Sequence, residues 1–166
     1  MKRRDFLEVA GAGLVAAQAL GQTPNAQAAA PTGAAAEKLL APPCGIYCAV
    51  CPGYRNGNCH GCPCPCGQCE GARYAAACDI VNCTRERKIE SCADCPDLPC
   101  TKLIMRANDP VWRTGAVSLE NLRRRKRIGT AAWLAEQKQF WSDQKKRDRW
   151  LVFYRDCAER DKTFGK

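Results

Sequence analysis

Cysteine is concentrated in one short stretch of this chain. The sequence has 166 residues and 14 cysteines, and all but one of the cysteines lie between Cys44 and Cys100. The same stretch has few large apolar side chains, so burial of apolar surface is too small to stabilise a fold there on its own. Disulfides, metal or a partner must therefore hold this part of the chain together.

The spacing of the cysteines favours metal over disulfides. Four pairs have the C-x-x-C spacing: Cys48/Cys51, Cys59/Cys62, Cys66/Cys69 and Cys92/Cys95. Two intervening residues allow a tight turn that points both sulfurs inward, and two such turns make a four-thiolate zinc site or the ligand set of an iron–sulfur cluster. A disulfide framework is the alternative in an oxidising compartment, but disulfides usually link distant segments rather than such close pairs.

The N-terminus has the pattern of an export signal. A charged start is followed by an uncharged stretch from Val9 to Leu20 and by the small-residue pattern Ala26-Gln27-Ala28. Charged, apolar and small-residue regions in this order predict a signal peptide over residues 1–28. The apolar stretch is about 12 residues long, and a bilayer span needs about 20, so we expect no stable membrane span in the mature chain.

Arg3-Arg4, followed by Phe6-Leu7, is typical of a twin-arginine signal. Lys2 and Glu8 depart from the usual pattern, and an ordinary secretory signal is the alternative. The twin-arginine route exports proteins that are already folded, often with their metal inserted. This interpretation predicts a periplasmic location, and it favours iron–sulfur over zinc.

The remaining chain divides into three parts by composition. Residues 29–43, rich in Ala and Pro, are expected to be a disordered linker with at most one helical turn near residues 37–40. Residues 44–107 form the cysteine-rich metal-binding region, which ends in a short helix over residues 101–107. The predicted fold is a small α-rich, metal-stapled irregular domain, with short strands at most, followed by two or three helices.

The sequence of residues 108–166 predicts a helical region that packs on the cysteine-rich part. Ser118 is a plausible N-cap for a long helix that runs toward Gln139, although Gly129 weakens the pattern. A further helix is expected from Ser142 to Arg160, with its buried side chains being Trp150, Leu151, Phe153 and Tyr154. The basic run at residues 123–127 is interpreted as a solvated face, with docking to an acidic partner or an anionic surface as the alternative.

The ordered motifs resemble a family catalogued as domain of unknown function three-seven-nine-five. The resemblance covers about residues 44–141 and rests on Cys44-Gly45-Ile46-Tyr47-Cys48-Ala49-Val50-Cys51-Pro52-Gly53-Tyr54, Cys59-His60-Gly61-Cys62, Cys78, Cys83, Cys92-Ala93-Asp94-Cys95-Pro96-Asp97-Leu98-Pro99-Cys100 and Arg127-Ile128-Gly129-Thr130-Ala131-Ala132-Trp133. Ten cysteines fit the pattern and are predicted metal ligands: Cys44, Cys48, Cys51, Cys59, Cys62, Cys78, Cys83, Cys92, Cys95 and Cys100. The resemblance implies metal binding and no known reaction.

The ten cysteines suffice for two sites of four ligands. One hypothesis places Cys44, Cys48, Cys51 and Cys62 in the first site and Cys78, Cys83, Cys92 and Cys95 in the second. Cys64, Cys66 and Cys69 are interpreted as an insertion of unassigned role, and His60 as an exposed loop residue. In Cys62-Pro63-Cys64-Pro65-Cys66 an extended backbone would point Cys64 away from its neighbours, so Cys62, Cys64 and Cys66 are not expected to share one metal.

No catalytic constellation is evident in the sequence. The spacing Cys44-x-x-x-Cys48-x-x-Cys51 matches the radical-SAM motif, but the chain is too short for the barrel that this chemistry needs. With one histidine, acid–base catalysis has few candidates, and no thioredoxin-like pattern surrounds any cysteine pair. The sequence thus favours a non-enzyme.

The predicted function is an exported metal-binding protein. The first hypothesis is an iron–sulfur protein, holding a four-iron cluster, that transfers electrons or supports a periplasmic redox partner. The alternative is a structural zinc-binding interaction module, and a thiol–disulfide oxidoreductase ranks third. The formal net charge is +9, but an exported protein is not expected to bind nucleic acid.

Overall fold

A computed structural model describes residues 30–164, and within that range the chain forms helices and no strands. The eight helices are α1 (Gly33–Leu39), α2 (Pro52–Arg55), α3 (Glu70–Ala77), α4 (Asp79–Glu86), α5 (Thr101–Ala107), α6 (Thr114–Ile128), α7 (Thr130–Phe140) and α8 (Gln144–Phe164). The α-rich fold predicted from the sequence is therefore confirmed. The predicted signal peptide, residues 1–28, lies outside the described range.

Short 3₁₀ turns form at two of the C-x-x-C pairs. One covers Cys48–Val50 and the other Cys92–Asp94. In each, the backbone N–H of the second cysteine donates to the carbonyl of the first, over 3.0 Å for Cys51 and 3.2 Å for Cys95. The tight turn expected from the spacing is thus present at both pairs.

The segment before Cys44 differs from the disordered linker expected there. Residues 33–39 form α1, and residues 40–43 are buried. Leu40 joins a core cluster with Tyr47, Trp133 and Leu134, because α7 packs against this part of the chain. The Ala- and Pro-rich composition of this segment did not indicate that it would be buried. Its packing partner is α7, which is distant in the sequence.

The long helix expected from Ser118 to Gln139 is two helices. The break falls at Gly129, which has φ 81° and ψ 163° and separates α6 from α7. Glycine adopts this left-handed conformation without a steric penalty, so it ends one helix and starts the next. Ser118 is buried inside α6 and does not act as an N-cap.

Helix α8 is longer than the expected helix and buries a different residue. Cys157 is its buried side chain, whereas Trp150, Leu151, Phe153 and Tyr154 are only partly covered. The rings of Trp150 and Tyr154 contact Trp141 and Trp112, with centroids 5.6 Å and 5.4 Å apart. These aromatic contacts attach α8 to the rest of the molecule. No helix within residues 30–164 combines the length and hydropathy that a membrane crossing requires.

Helices α5 and α6 approach each other closely at Gly115. A Cβ atom at this position would lie 1.9 Å from the carbonyl oxygen of Arg106. We expect Gly115→Ala to lower the free energy of unfolding by about 2 kcal/mol, because the two backbones must separate to relieve the overlap. Chemical denaturation measures the change. Glu120→Ala, at an exposed position on α6, is the control and should change stability by less than about 0.5 kcal/mol.

Candidate metal centre

Four potential ligands meet in the loop between α2 and α3. His60, Cys64, Cys66 and Cys69 have ligand atoms that all lie within 4.8 Å of one another, and we call these residues the His60 group. His60 Nδ1 is 3.6 Å from Cys64 Sγ and 3.6 Å from Cys66 Sγ, and the two sulfurs are 3.0 Å apart. The group could hold one metal ion.

Turns rather than an extended chain bring these ligands together. Residues 62–63 and 65–66 lie in turns, and Gly67 has φ 72°. The left-handed conformation at Gly67 lets the chain reverse between Cys66 and Cys69. Backbone N–H groups of Gln68 and Cys69 donate to Cys66 Sγ, which is the arrangement of a C-x-x-C turn around a metal.

The thiols of Cys64 and Cys66 titrate as a pair. The hydrogen bond from Cys64, assisted by backbone N–H groups, lowers the pKa of Cys66 to about 6. Burial and the hydrogen bond to Cys66 raise the pKa of Cys64 to about 12. The pair therefore releases one proton readily and holds the second, and a metal ion would have to displace that second proton.

The sequence-based interpretation missed the His60 group. It took His60 for an exposed loop residue, yet His60 is half-buried and contacts both buried cysteines. It also placed Cys64 and Cys66 on opposite sides of an extended chain, which is wrong because the turns point both sulfurs the same way. The pattern His60-x-x-x-Cys64-x-Cys66-x-x-Cys69 was the available signal in the sequence.

Half of the ten predicted ligands line one cavity. The cavity has a volume of about 530 Å³, and the cysteines in its wall are Cys44, Cys48, Cys51, Cys59 and Cys62. Cys78 lies close by, since its charge raises the pKa values of Cys44 and Cys62. Within residues 30–164 only the His60 group brings ligand atoms close enough for a single ion. The cavity cysteines are therefore spaced more widely around their shared space.

Burial favours the protonated thiols of Cys48 and Cys62. It raises the pKa of Cys62 to about 12, with Cys44 and Cys78 adding to the rise. Burial also raises the pKa of Cys48 well above its ordinary value, and neighbouring Cys44 and Cys62 act in the same direction. Several thiolates cannot share this space without a cation to compensate them.

Arg106 supplies positive charge at the cavity wall. Burial lowers the pKa of its guanidinium. The neighbouring groups Cys44, Tyr74 and Cys78 together raise it by more, so the net pKa lies above the ordinary value. Arg106 Nε is buried and has no hydrogen-bond partner within residues 30–164. Trp112, Trp150 and Tyr154 complete an aromatic side of the same cavity. The cavity thus combines thiols, one guanidinium and a largely apolar wall that also includes the acidic residues Glu70, Asp109 and Asp161.

The other predicted ligands form a second neighbourhood. Burial raises the pKa of Cys92 to about 12, and further cysteines contribute to the rise, namely Cys44, Cys100, Cys83 and Cys95. Arg87 Nη1 donates to Cys95 Sγ over 3.3 Å and to Asp97 over 2.6 Å. These neighbours suggest grouping Cys100 with Cys83, Cys92 and Cys95, and Cys78 with the cavity.

Three comparisons with known proteins gave no relative for this chain. No protein family, curated protein or solved structure matches it. The resemblance to domain of unknown function three-seven-nine-five and the export signal therefore stay predictions. What the geometry establishes is a cysteine-rich helical protein with a cluster of His and Cys side chains that could bind a metal.

Proposed function

We propose that this chain is an exported iron–sulfur protein with an electron-transfer or redox-accessory role. The observation that carries the proposal is the cavity whose wall contains Cys44, Cys48, Cys51, Cys59 and Cys62. Iron–sulfur clusters are held by four cysteine thiolates, and the metal–sulfide core occupies the space between them. Cysteines that surround a cavity at more than single-ion spacing suit such a core better than they suit one zinc ion.

Part of the cavity wall fits a cluster as well. A four-iron cluster with four thiolates carries net negative charge, and Arg106 beside Cys44 and Cys78 compensates part of it, although three acidic residues also line the cavity. Backbone N–H groups of Ile46 and Cys62 donate to the sulfurs of Cys44 and Cys48. Such hydrogen bonds, and the exclusion of water by aromatic side chains, are the means by which a protein sets a cluster's potential.

The ligands that we propose for this cluster are Cys44, Cys48, Cys62 and Cys78. Five of the six pairs among them are neighbours by charge: Cys44 and Cys62 both raise the pKa of Cys48, Cys44 and Cys78 both raise that of Cys62, and Cys78 raises that of Cys44. The second set is then Cys83, Cys92, Cys95 and Cys100, for a further metal. Cys51 and Cys59 line the same cavity but are not among the ligands proposed for this cluster.

A redox role requires a partner that gives or takes electrons. The exposed side chains of Arg123, Lys126 and Arg127 on α6 give the molecule a basic surface. A periplasmic redox protein with an acidic docking face would suit this surface, because opposite charges accelerate encounter. The twin-arginine signal supports the same location, since that route exports proteins with their cofactors in place.

The alternative function is a zinc-binding interaction module without redox activity. The His60 group supports it, because one ion with tetrahedral ligands suits that geometry. Under this alternative every site holds zinc, and the metals stabilise the fold without changing oxidation state.

Iron and sulfide analysis of anaerobically purified full-length protein tests the proposal. The protein should be isolated from a host that assembles clusters and exports by the twin-arginine route. We expect stoichiometric iron and inorganic sulfide, together with broad visible absorption that is bleached by dithionite. Protein that contains only zinc and shows no such absorption would overturn the iron–sulfur proposal and select the zinc module.

Replacing Cys48 by Ser should remove the cluster from the cavity. We expect Cys48→Ser to lose most of the iron and several kcal/mol of stability together, because metal binding and folding are coupled. Iron per chain and the midpoint of thermal unfolding measure the two effects. Cys157→Ala is the matched control, since Cys157 is buried in α8 and does not line the cavity. Full iron content in Cys48→Ser would show that Cys48 is not a ligand.

A further inference from the structure

We propose that the His60 group is a separate zinc site, bound through His60 Nδ1 and the sulfurs of Cys64, Cys66 and Cys69. The ion is distinct from the cluster proposed above, and the inference does not depend on that cluster. None of these four residues lines the cysteine cavity. Three of them, Cys64, Cys66 and Cys69, also lie outside the predicted family pattern, which includes ten of the other eleven cysteines.

The two nitrogen–sulfur distances from His60 match those of a tetrahedral zinc ion. Zinc–sulfur bonds of about 2.3 Å and zinc–nitrogen bonds of about 2.0 Å place nitrogen and sulfur ligands about 3.5 Å apart, and two sulfurs about 3.8 Å apart. His60 Nδ1 lies 3.6 Å from both Cys64 Sγ and Cys66 Sγ. The Cys64–Cys66 sulfur distance is 3.0 Å, so this one edge must widen when the ion binds.

The ligand chemistry favours zinc over the hard cations. Three thiolates and one imidazole are soft and borderline donors, which disfavours magnesium, calcium and manganese. All four protein ligands close the tetrahedron, so no position remains open for water or substrate, which is the mark of a structural rather than a catalytic zinc site. Cys64 and Cys66 are buried, as suits a closed site.

The ion would fasten one wall of the neighbouring cavity. Cys69 directly precedes α3, which contributes Glu70, Gly71 and Tyr74 to that wall. A Cβ atom at Gly71 would lie 2.4 Å from the carbonyl oxygen of Gly61, so the loop and the helix already touch. Zinc at the His60 group holds the loop of residues 60–69 in this contact, and it therefore acts as a staple beside the cluster site.

Zinc and iron analysis of full-length variants tests this site. We expect the wild type to hold one zinc ion that Cys66→Ser loses, with iron per chain unchanged. His60→Cys keeps four ligands and should retain the zinc, whereas His60→Ala should lose it or bind it much more weakly. Cys157→Ala, which alters a buried cysteine elsewhere, should leave both metals unchanged. Retention of full zinc by Cys66→Ser would overturn the separate site.

Cobalt substitution tests the ligands without relying on a destabilised variant. Wild-type protein whose zinc is exchanged for Co²⁺ should show the visible bands of tetrahedral cobalt with thiolate charge transfer, and His60→Cys should shift these bands toward a four-thiolate site. Identical spectra for the two proteins would exclude His60 as a ligand. A chain without zinc in which Cys64 and Cys66 are joined as a disulfide would also overturn the proposal. Wild-type protein that holds zinc at the His60 group but contains no iron would contradict the proposed cluster and leave the zinc site standing.

Discussion

Removing all metal from the reduced full-length protein is expected to unfold residues 44–100. A structural metal site contributes about 10 kcal/mol to a small domain, which is comparable with the whole stability of a typical fold. The cysteine-rich region cannot replace that contribution, since its own core residues are few. Far-ultraviolet circular dichroism should show loss of helix. Hydrogen exchange resolved by peptide should show the greatest loss of protection between Cys44 and Cys100.

The unfolding is expected to spread to the C-terminal helices. Tyr47 and Val50 share a core cluster with Trp133 and Leu134 of α7, and Cys92 and Ala93 share another with Leu122 of α6. Loss of the metal-stapled half therefore exposes apolar side chains of α6 and α7. A metal-free, reduced chain that melts cooperatively within about 1 kcal/mol of the loaded protein would show that metal does not hold the fold. Oxidised protein serves as the comparison, because disulfides could then replace the metal.

The sequence predicted features that depend on neighbouring residues. Helix α5 spans Thr101–Ala107 as expected, because Asn108-Asp109-Pro110 ends it locally. The Asp109 carboxylate accepts the N–H groups of Val111 and Trp112, which completes the turn after the helix. The tight turns at the C-x-x-C pairs follow from spacing in the same way.

Features that depend on distant contacts were missed or misplaced. Composition indicated a disordered linker before Cys44, because nothing in that segment shows that α6 and α7 cover it. The His60 group was missed for a different reason. Two turns fold His60 against Cys64 and Cys66, and sequence spacing alone does not reveal which sulfurs will meet.

The basic run on α6 illustrates the same limit. A solvated face was expected for residues 123–127, and most of the run is exposed. Arg124 pairs with Glu136, and Arg123 with Glu120. Arg125, however, is only 4% exposed. The sequence does not show which arginine of the run is buried, because this depends on which face of α6 packs against the distant segment that contains Ala41 and Pro42.

Replacing Arg125 by Leu is expected to lower the free energy of unfolding by about 3 kcal/mol. Arg125 Nη1 donates to the carbonyl oxygens of Ala41 and Pro42 over 3.1 Å and 3.0 Å, and its Nε donates to Thr130 over 2.8 Å. Leucine leaves both buried carbonyls without this donor, and a buried polar group that loses its partner costs more than a hydrogen bond contributes. Denaturant titration measures the loss. Arg124→Gln is the control, because the exposed Arg124–Glu136 pair should contribute no more than about 1 kcal/mol.

The same substitution should also weaken metal binding in the cavity. Arg125 holds the segment directly before Cys44, while Asn121 of the same helix donates to the carbonyl oxygen of Gly45 over 2.8 Å. Helix α6 therefore positions Cys44 from both sides, and releasing one side lets this ligand move. Arg125→Lys keeps the charge but loses the planar guanidinium, so we expect it to fall between the wild type and Arg125→Leu. Iron content that stays at the wild-type level in Arg125→Leu, despite the lower stability, would show that Cys44 is held in place without α6.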